Sequence, residues 1–180
     1  MNAAAACLIA GDGDFEMSEV ARKAGVSEGL AYHYFGSKAG LLSALVEDFY
    51  DRYSAISNKR YDRDIPWAVR EKTRLKAVID FLYSDPLADV ILGKMGRTAQ
   101  VANVEAARHH EMIELAGRNI RDGIERGQIS AAVDPNIAGA AVTGAIRQAF
   151  NYVMASKKRP SPKALTEQIW KLIAGALDLS

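Results

Sequence analysis

MSEVARKAGVSEGLAYHYFGSKAGLL, residues 17–42, is the stretch that decides how this chain folds. Val20, Ala21 and Ala24 recur at the spacing of one buried helix face, and Glu19, Arg22 and Lys23 fall on the wet side. Gly25 is expected to stop that helix, because glycine enters the left-handed region without the steric cost other residues meet. Val26 is expected to fill the angle that follows. Ser27 is placed to cap the next helix by accepting a backbone N–H. Ala31 and Phe35, four apart, then turn inward, leaving Glu28, Leu30, Tyr32 and His33 outside. Two helices joined by a tight turn in this way form a helix-turn-helix, whose second helix fits a DNA major groove.

These residues resemble the TetR family of transcriptional regulators. The shared positions are Val20-Ala21, Ala24-Gly25-Val26-Ser27, Gly29, Tyr32-His33-Tyr34-Phe35 and Ser37-Lys38 ahead of Leu41-Leu42. Three features depart from the family pattern. Tyr34 stands where the Tyr-x-His-Phe box has histidine, which keeps a polar tip and loses a positive charge. Phe15-Glu16 replaces the threonine that opens the second helix. The apolar run from Ala3 to Ala10 reads as the tail of a first helix without a basic lead-in, as in a chain whose start is truncated or misassigned.

The resemblance implies an all-α protein, with a three-helix DNA-binding domain over residues 1–57 and a larger ligand-binding and dimerisation domain over 58–180. It further implies a regulator, a repressor in this reading, that binds a palindromic double-stranded DNA operator as a homodimer and is released by a small, largely apolar effector. The DNA-contacting set it indicates is Ser18, Ser27, Glu28, Gly29, Leu30, Tyr32, His33, Tyr34 and Lys38.

Charge opposes the DNA reading. Residues 1–50 hold Arg22, Lys23 and Lys38 against seven acidic residues, whereas DNA affinity draws heavily on neutralising phosphates. The free backbone N–H groups of helices starting at Ser27 and Ser37 offset this, since they suit phosphate whatever the net charge.

Beyond the motif the pattern stays helical. Leu41, Leu42, Leu45, Val46, Phe49 and Tyr53 trace a stripe to about residue 56, and the charged break at 58–66 ends in Pro66. Further helices are expected from Trp67 to Ser84, with an apolar stripe of Trp67, Val69, Leu75, Val78, Ile79 and Leu82, over a short run containing Leu87, Val90, Ile91 and Leu92, from 99 to 126, from 136 to 155, and from 164 to 177, with a stripe of Leu165, Ile169, Trp170, Leu172, Ile173 and Leu177. Asp134-Pro135 is a helix start, because Asp caps and Pro tolerates the first turn. The small residues Ala138, Gly139, Ala140, Ala141, Gly144 and Ala145 open the penultimate helix to close approach by a neighbour. The last two helices, through Ala140, Gly144, Ile173 and Leu177, are the expected dimer interface, a four-helix bundle of two helices per chain.

If the resemblance holds, Trp67, Phe81, Tyr83, Met95, Met112, Phe150 and Tyr152 line an apolar effector cavity, with Arg97, His109, Asn119, Arg147 and Gln148 as polar handles. No cofactor, metal or catalytic residue is expected. A small metal-dependent enzyme would have to use Glu105, His109, His110 and Glu114, whose i, i+4 pairs point in different directions. A helical carrier of hydrophobic ligands without DNA function is the other alternative. The single cysteine, Cys7, excludes an internal disulfide, reads as a small buried residue and fits a reducing cytoplasm. No apolar run reaches the length of a membrane span.

Overall fold

The computed structural model describes residues 1–95 and 98–179, and every regular element among them is helical. In order these are α1 (Asn2–Ala10), α2 (Met17–Ala24), α3 (Glu28–Phe35), α4 (Lys38–Ser57), α5 (Trp67–Ser84), α6 (Pro86–Asp89), a π-helical stretch (Val90–Lys94), α7 (Ala99–Glu125), α8 (Pro135–Ala155) and α9 (Pro162–Ala176). The long helices begin where capping chemistry places them. Asp134 accepts from the amides of Asn136 and Ile137, and Ser161 from that of Ala164, with proline at the first helical position in both cases. The short run after Pro86 starts as an α turn capped by Asp85 and widens at Val90, where the Met95 amide bonds back five residues.

Two compact units divide the chain: residues 1–52 with 85–108, and residues 53–84 with 109–180. The return of residues 85–108 to the first unit has no counterpart in the sequence reading. That return is made by apolar residues, Leu87, Ala88, Val90, Ile91 and Leu92, all buried. α1 packs on α2 and on α6, and Ala4, Cys7 and Leu8 are its buried face.

In the second unit α5 packs along α9, and α8 also packs on α9. Trp67, Leu75, Val78, Ile79 and Leu82 form the buried stripe of α5. Val69, read with that stripe from sequence, is 54% exposed. At 100° per residue it falls well off the line through the others. α7 and α8 meet at their glycines: a Cβ on Gly139 would stand 2.7 Å from the Gly117 nitrogen and 2.9 Å from the Ile113 carbonyl oxygen. The expected close approach is therefore made within the chain at Gly139, whereas a Cβ on Gly144 would meet nothing within 4 Å. Ile173 and Leu177, expected at a dimer interface, are buried in the chain's own core. Leu172, expected in the buried stripe of α9, is 67% exposed. Among the described residues no helix is long and apolar enough to cross a membrane.

Candidate functional site

The turn between α2 and α3 follows its sequence closely. Gly25 sits at φ 69°, ψ 30°, in the left-handed region; its amide donates to the Arg22 carbonyl, and the Val26 amide donates to that of Ala21. Ser27 Oγ accepts the Leu30 amide at 3.2 Å, so its hydroxyl is engaged as a cap. Glu16 precedes α2 without a side-chain capping bond, as expected for the residue that replaces threonine. Val20, Ala21 and Ala31 are buried, and Phe35 is half-buried. Ala24 and Val26, expected inside, are both exposed.

α3 presents its remaining face to solvent. Glu28, Gly29, Leu30, Tyr32, His33 and Tyr34 are all exposed, as is Ser18 in the first turn of α2. The rings of His33 and Tyr34 meet edge to face at 5.6 Å between centroids. This surface offers an imidazole, two phenols and one aliphatic side chain on a helix anchored by a capped N-terminus, a set able to meet base edges, thymine methyls and phosphates.

Lys38, at the start of α4, has a partner of its own. Its Nζ lies 2.6 Å from Asp14 Oδ1 and 3.7 Å from Glu16 Oε1, and over the Phe15 ring at 5.7 Å. The Asp14 hydrogen bond raises the Lys38 pKa, and the same contact, with the Phe15 amide, holds the Asp14 carboxyl below its usual range. Sequence reading placed Lys38 in the DNA-contacting set and missed this pairing, because the acidic residues lie in the loop before α2 and meet Lys38 only through the fold.

The residues expected to contact an effector are distributed more widely. Trp67 is buried, with its indole N–H donating to the Asn119 carbonyl at 2.7 Å. Phe150 is buried against the edge of Tyr83 at 6.3 Å, and the Tyr83 hydroxyl donates to the Pro160 carbonyl at 2.9 Å. Burial raises the Tyr83 pKa. Phe81 meets Tyr53 edge to face. Met112 and Arg147 are half-buried. Burial, and then the charge of Arg147, lowers the His109 pKa. Gln148 and Tyr152 lie exposed on α8, Met95 is buried in the first unit, and Arg97 lies outside the described residues. A groove between α5 and α9 is lined by none of these side chains.

The alternative metal reading gains no support from His110 and Glu114, which meet on the surface at 3.4 Å, with Arg118 reaching the same carboxylate from the next turn. Among the described residues no group of three or more metal-ligating side chains is assembled.

Comparison with known proteins agrees with this geometry. Residues 1–45 match the family model described as bacterial regulatory proteins, tetR family. The HTH-type transcriptional regulator BetI of Ectopseudomonas mendocina (strain ymp) is 37% identical over 78 residues, 42% of this chain, and the match spans 37% of BetI's own length. The structure of SmeT, the repressor of the Stenotrophomonas maltophilia multidrug efflux pump SmeDEF, superposes with a TM-score of 0.80 at 18% identity, covering 97% of this chain and 86% of SmeT. That of the fatty acid degradation regulator FadR from Bacillus halodurans gives a TM-score of 0.76 at 19% identity, over 98% and 96% of the two chains. At these identities the structural likeness establishes a shared fold.

Proposed function

We propose, from the match of residues 1–45 to the family model of bacterial regulatory proteins, tetR family, that this chain is a ligand-responsive transcriptional repressor of that family. In this reading it binds a palindromic operator as a homodimer and leaves it when a small, largely apolar effector binds. The observation that carries the reading is the exposed α3 surface. Leu30, Tyr32, His33 and Tyr34 stand in solvent on a helix whose entry is fixed by Gly25 and Ser27. Solvated aromatic and aliphatic side chains of this kind add nothing to a core, and a major groove accommodates them.

Dimerisation supplies the second reading helix. Ile137 and Tyr152 on α8 are 72% and 74% exposed, and with Ala141, Gly144 and Gln148 they recur on one face. Leu172 gives α9 an exposed apolar residue of its own. Two such helices from each chain make a four-helix interface, and a twofold pair places its reading helices about 34 Å apart, one turn of DNA. Effector binding then acts by shifting the population toward a geometry that no longer fits two successive grooves, and by linkage DNA weakens effector binding equally.

The Lys38–Asp14 pair and the acidic first fifty residues favour a second reading, a hydrophobic-ligand carrier without DNA function. An electrophoretic shift with DNA flanking the protein's own gene, at low salt and against unrelated competitor DNA, separates the two. A specific shift supports the repressor; its absence leaves the carrier.

A further inference from the structure

The groove between α5 and α9 has a volume of about 490 Å³, within the range of small-molecule sites. It is built unevenly along its length. The two helices run side by side in opposite directions, as the contact of Lys72 with Glu167 at 2.7 Å shows together with the ring pair of Trp67 and Trp170 at 6.3 Å. Val69 and Trp170 therefore lie toward one end, Lys76 and Lys163 toward the other, and the Lys72–Glu167 pair between them.

Each end has its own chemistry. Val69 is exposed although it is a large aliphatic residue, and the half-buried Trp170 indole shares the wall with it. At the far end Lys163 stands in the first turn of α9, where the helix dipole disfavours a cation. Among the described residues no carboxylate stands within ion-pair distance of it, whereas Lys76 has Asp80 at 2.5 Å and Lys72 has Glu167. The charge of Lys163 is thus left without a carboxylate partner at the end away from the apolar wall. From Val69 to Lys76 is seven helical residues, or about 10 Å at 1.5 Å per residue, roughly the length of an extended eight-carbon chain.

We propose that this groove binds an amphipathic carboxylate of medium chain length, its head between Lys76 and Lys163 and its chain along Val69 and Trp170. On the α9 wheel the groove residues 163, 166, 167 and 170 lie nearly opposite Leu172, so the site stays open when α8 and α9 pair with a second chain. The proposal is independent of DNA binding.

The test is titration of the full chain, labelled with 5-fluorotryptophan, with octanoate, and in parallel with octanol. Octanoate is expected to shift the Trp170 resonance and leave that of Trp67 nearly unmoved, because the Trp67 indole is buried and bonded to Asn119. Octanol is expected to bind at least tenfold more weakly. Lys163→Glu and Val69→Asp, both on exposed positions, are each expected to weaken octanoate about tenfold at unchanged melting temperature. Octanoate that leaves Trp170 unmoved, or binds both variants as tightly as the parent, overturns the proposal.

Discussion

Lys38 and Asp14 are joined at 2.6 Å across the loop that precedes α2, so the one basic side chain at the start of α4 is already neutralised within the protein. On DNA a phosphate must compete with that carboxylate. Asp14→Asn frees the ammonium, and operator affinity is expected to rise about three- to tenfold, with the slope of log K against log salt steeper by about one. Fluorescence anisotropy at several salt concentrations reads both. Glu19→Gln removes the same charge from an exposed helix position away from Lys38. Equal effects of the two variants would mean that general charge, and not release of Lys38, sets the affinity.

Tyr32 and Leu30 are solvated in the free protein, so truncating either removes little packing. Tyr32→Ala is expected to cost about 1–3 kcal/mol of operator binding, with the sedimentation coefficient of the free protein unchanged. A change in that coefficient would show the ring to be part of the fold rather than of the DNA contact.

The helix-turn-helix was legible because its signals are local: Gly25, Ser27 and the spacing of Val20, Ala21 and Ala31 act within a few residues. Ala24 and Val26 were misread for the same reason, since whether a turn residue is covered depends on a core that the turn alone does not define. The helix starts at Trp67 and Pro135 were also readable, from Pro66 and from Asp134, whereas the Ser161 cap that starts α9 at Pro162 was not. Longer-range features escaped. Neither the pairing of Asp14 with Lys38 nor the place of Ile173 and Leu177 in the chain's own core follows from periodicity. A stripe of apolar residues states that a face is covered and is silent on what covers it. The groove was missed because Val69 and Trp170 were each assigned to such a stripe.

Gly139 and Gly144 sit five residues apart on α8 and should respond oppositely to the same change. Gly139→Ala drives a methyl against the Gly117 and Ile113 backbone, and is expected to cost about 1–3 kcal/mol as overpacking that no side-chain rotation relieves. Gly144→Ala meets nothing in the chain, and is expected to leave protomer stability level or raise it by up to about 1 kcal/mol through helix propensity. Urea unfolding at fixed protein concentration measures both. Equal costs would place a neighbour over Gly144 that the single chain lacks.

Asp122 ties down the second unit. It accepts from Arg70 at 2.6 Å and from Arg63, and Arg126 stands 3.7 Å away. Burial works to raise its pKa, but the hydrogen bonds and charges of Arg70 and Arg63 outweigh burial and leave the group below its ordinary value. A carboxyl with a folded pKa depressed below the unfolded one stabilises fully above the unfolded value, and that stabilisation is lost as pH falls through the folded one. Asp122→Asn, which leaves the buried Arg70 uncompensated, is expected to cost about 3 kcal/mol, the low end for breaking a buried pair, since the carboxylate is 21% exposed. The gap between parent and variant should be constant near neutral pH and close below about pH 4, the ordinary carboxylate range. A gap that persists in acid would assign the cost to packing.

Leu172 and Tyr152 test the interface. Both are large and exposed, and neither contributes to the buried stripes of α8 or α9. Leu172→Glu is therefore expected to leave the protomer folded while placing a desolvated charge in the centre of a four-helix interface, a cost of several kcal/mol for each copy. Sedimentation equilibrium should show a dimer for the parent and a monomer for the variant, and specific operator binding should fall with it because one reading helix alone covers half a site. Lys171→Glu, one residue away on α9, introduces the same carboxylate with a larger change of net charge but without replacing an apolar residue, and should remain a dimer. A variant Leu172→Glu that still sediments as a dimer would remove α9 from the interface and leave the exposed face of α8, from Ile137 to Tyr152, to make it alone.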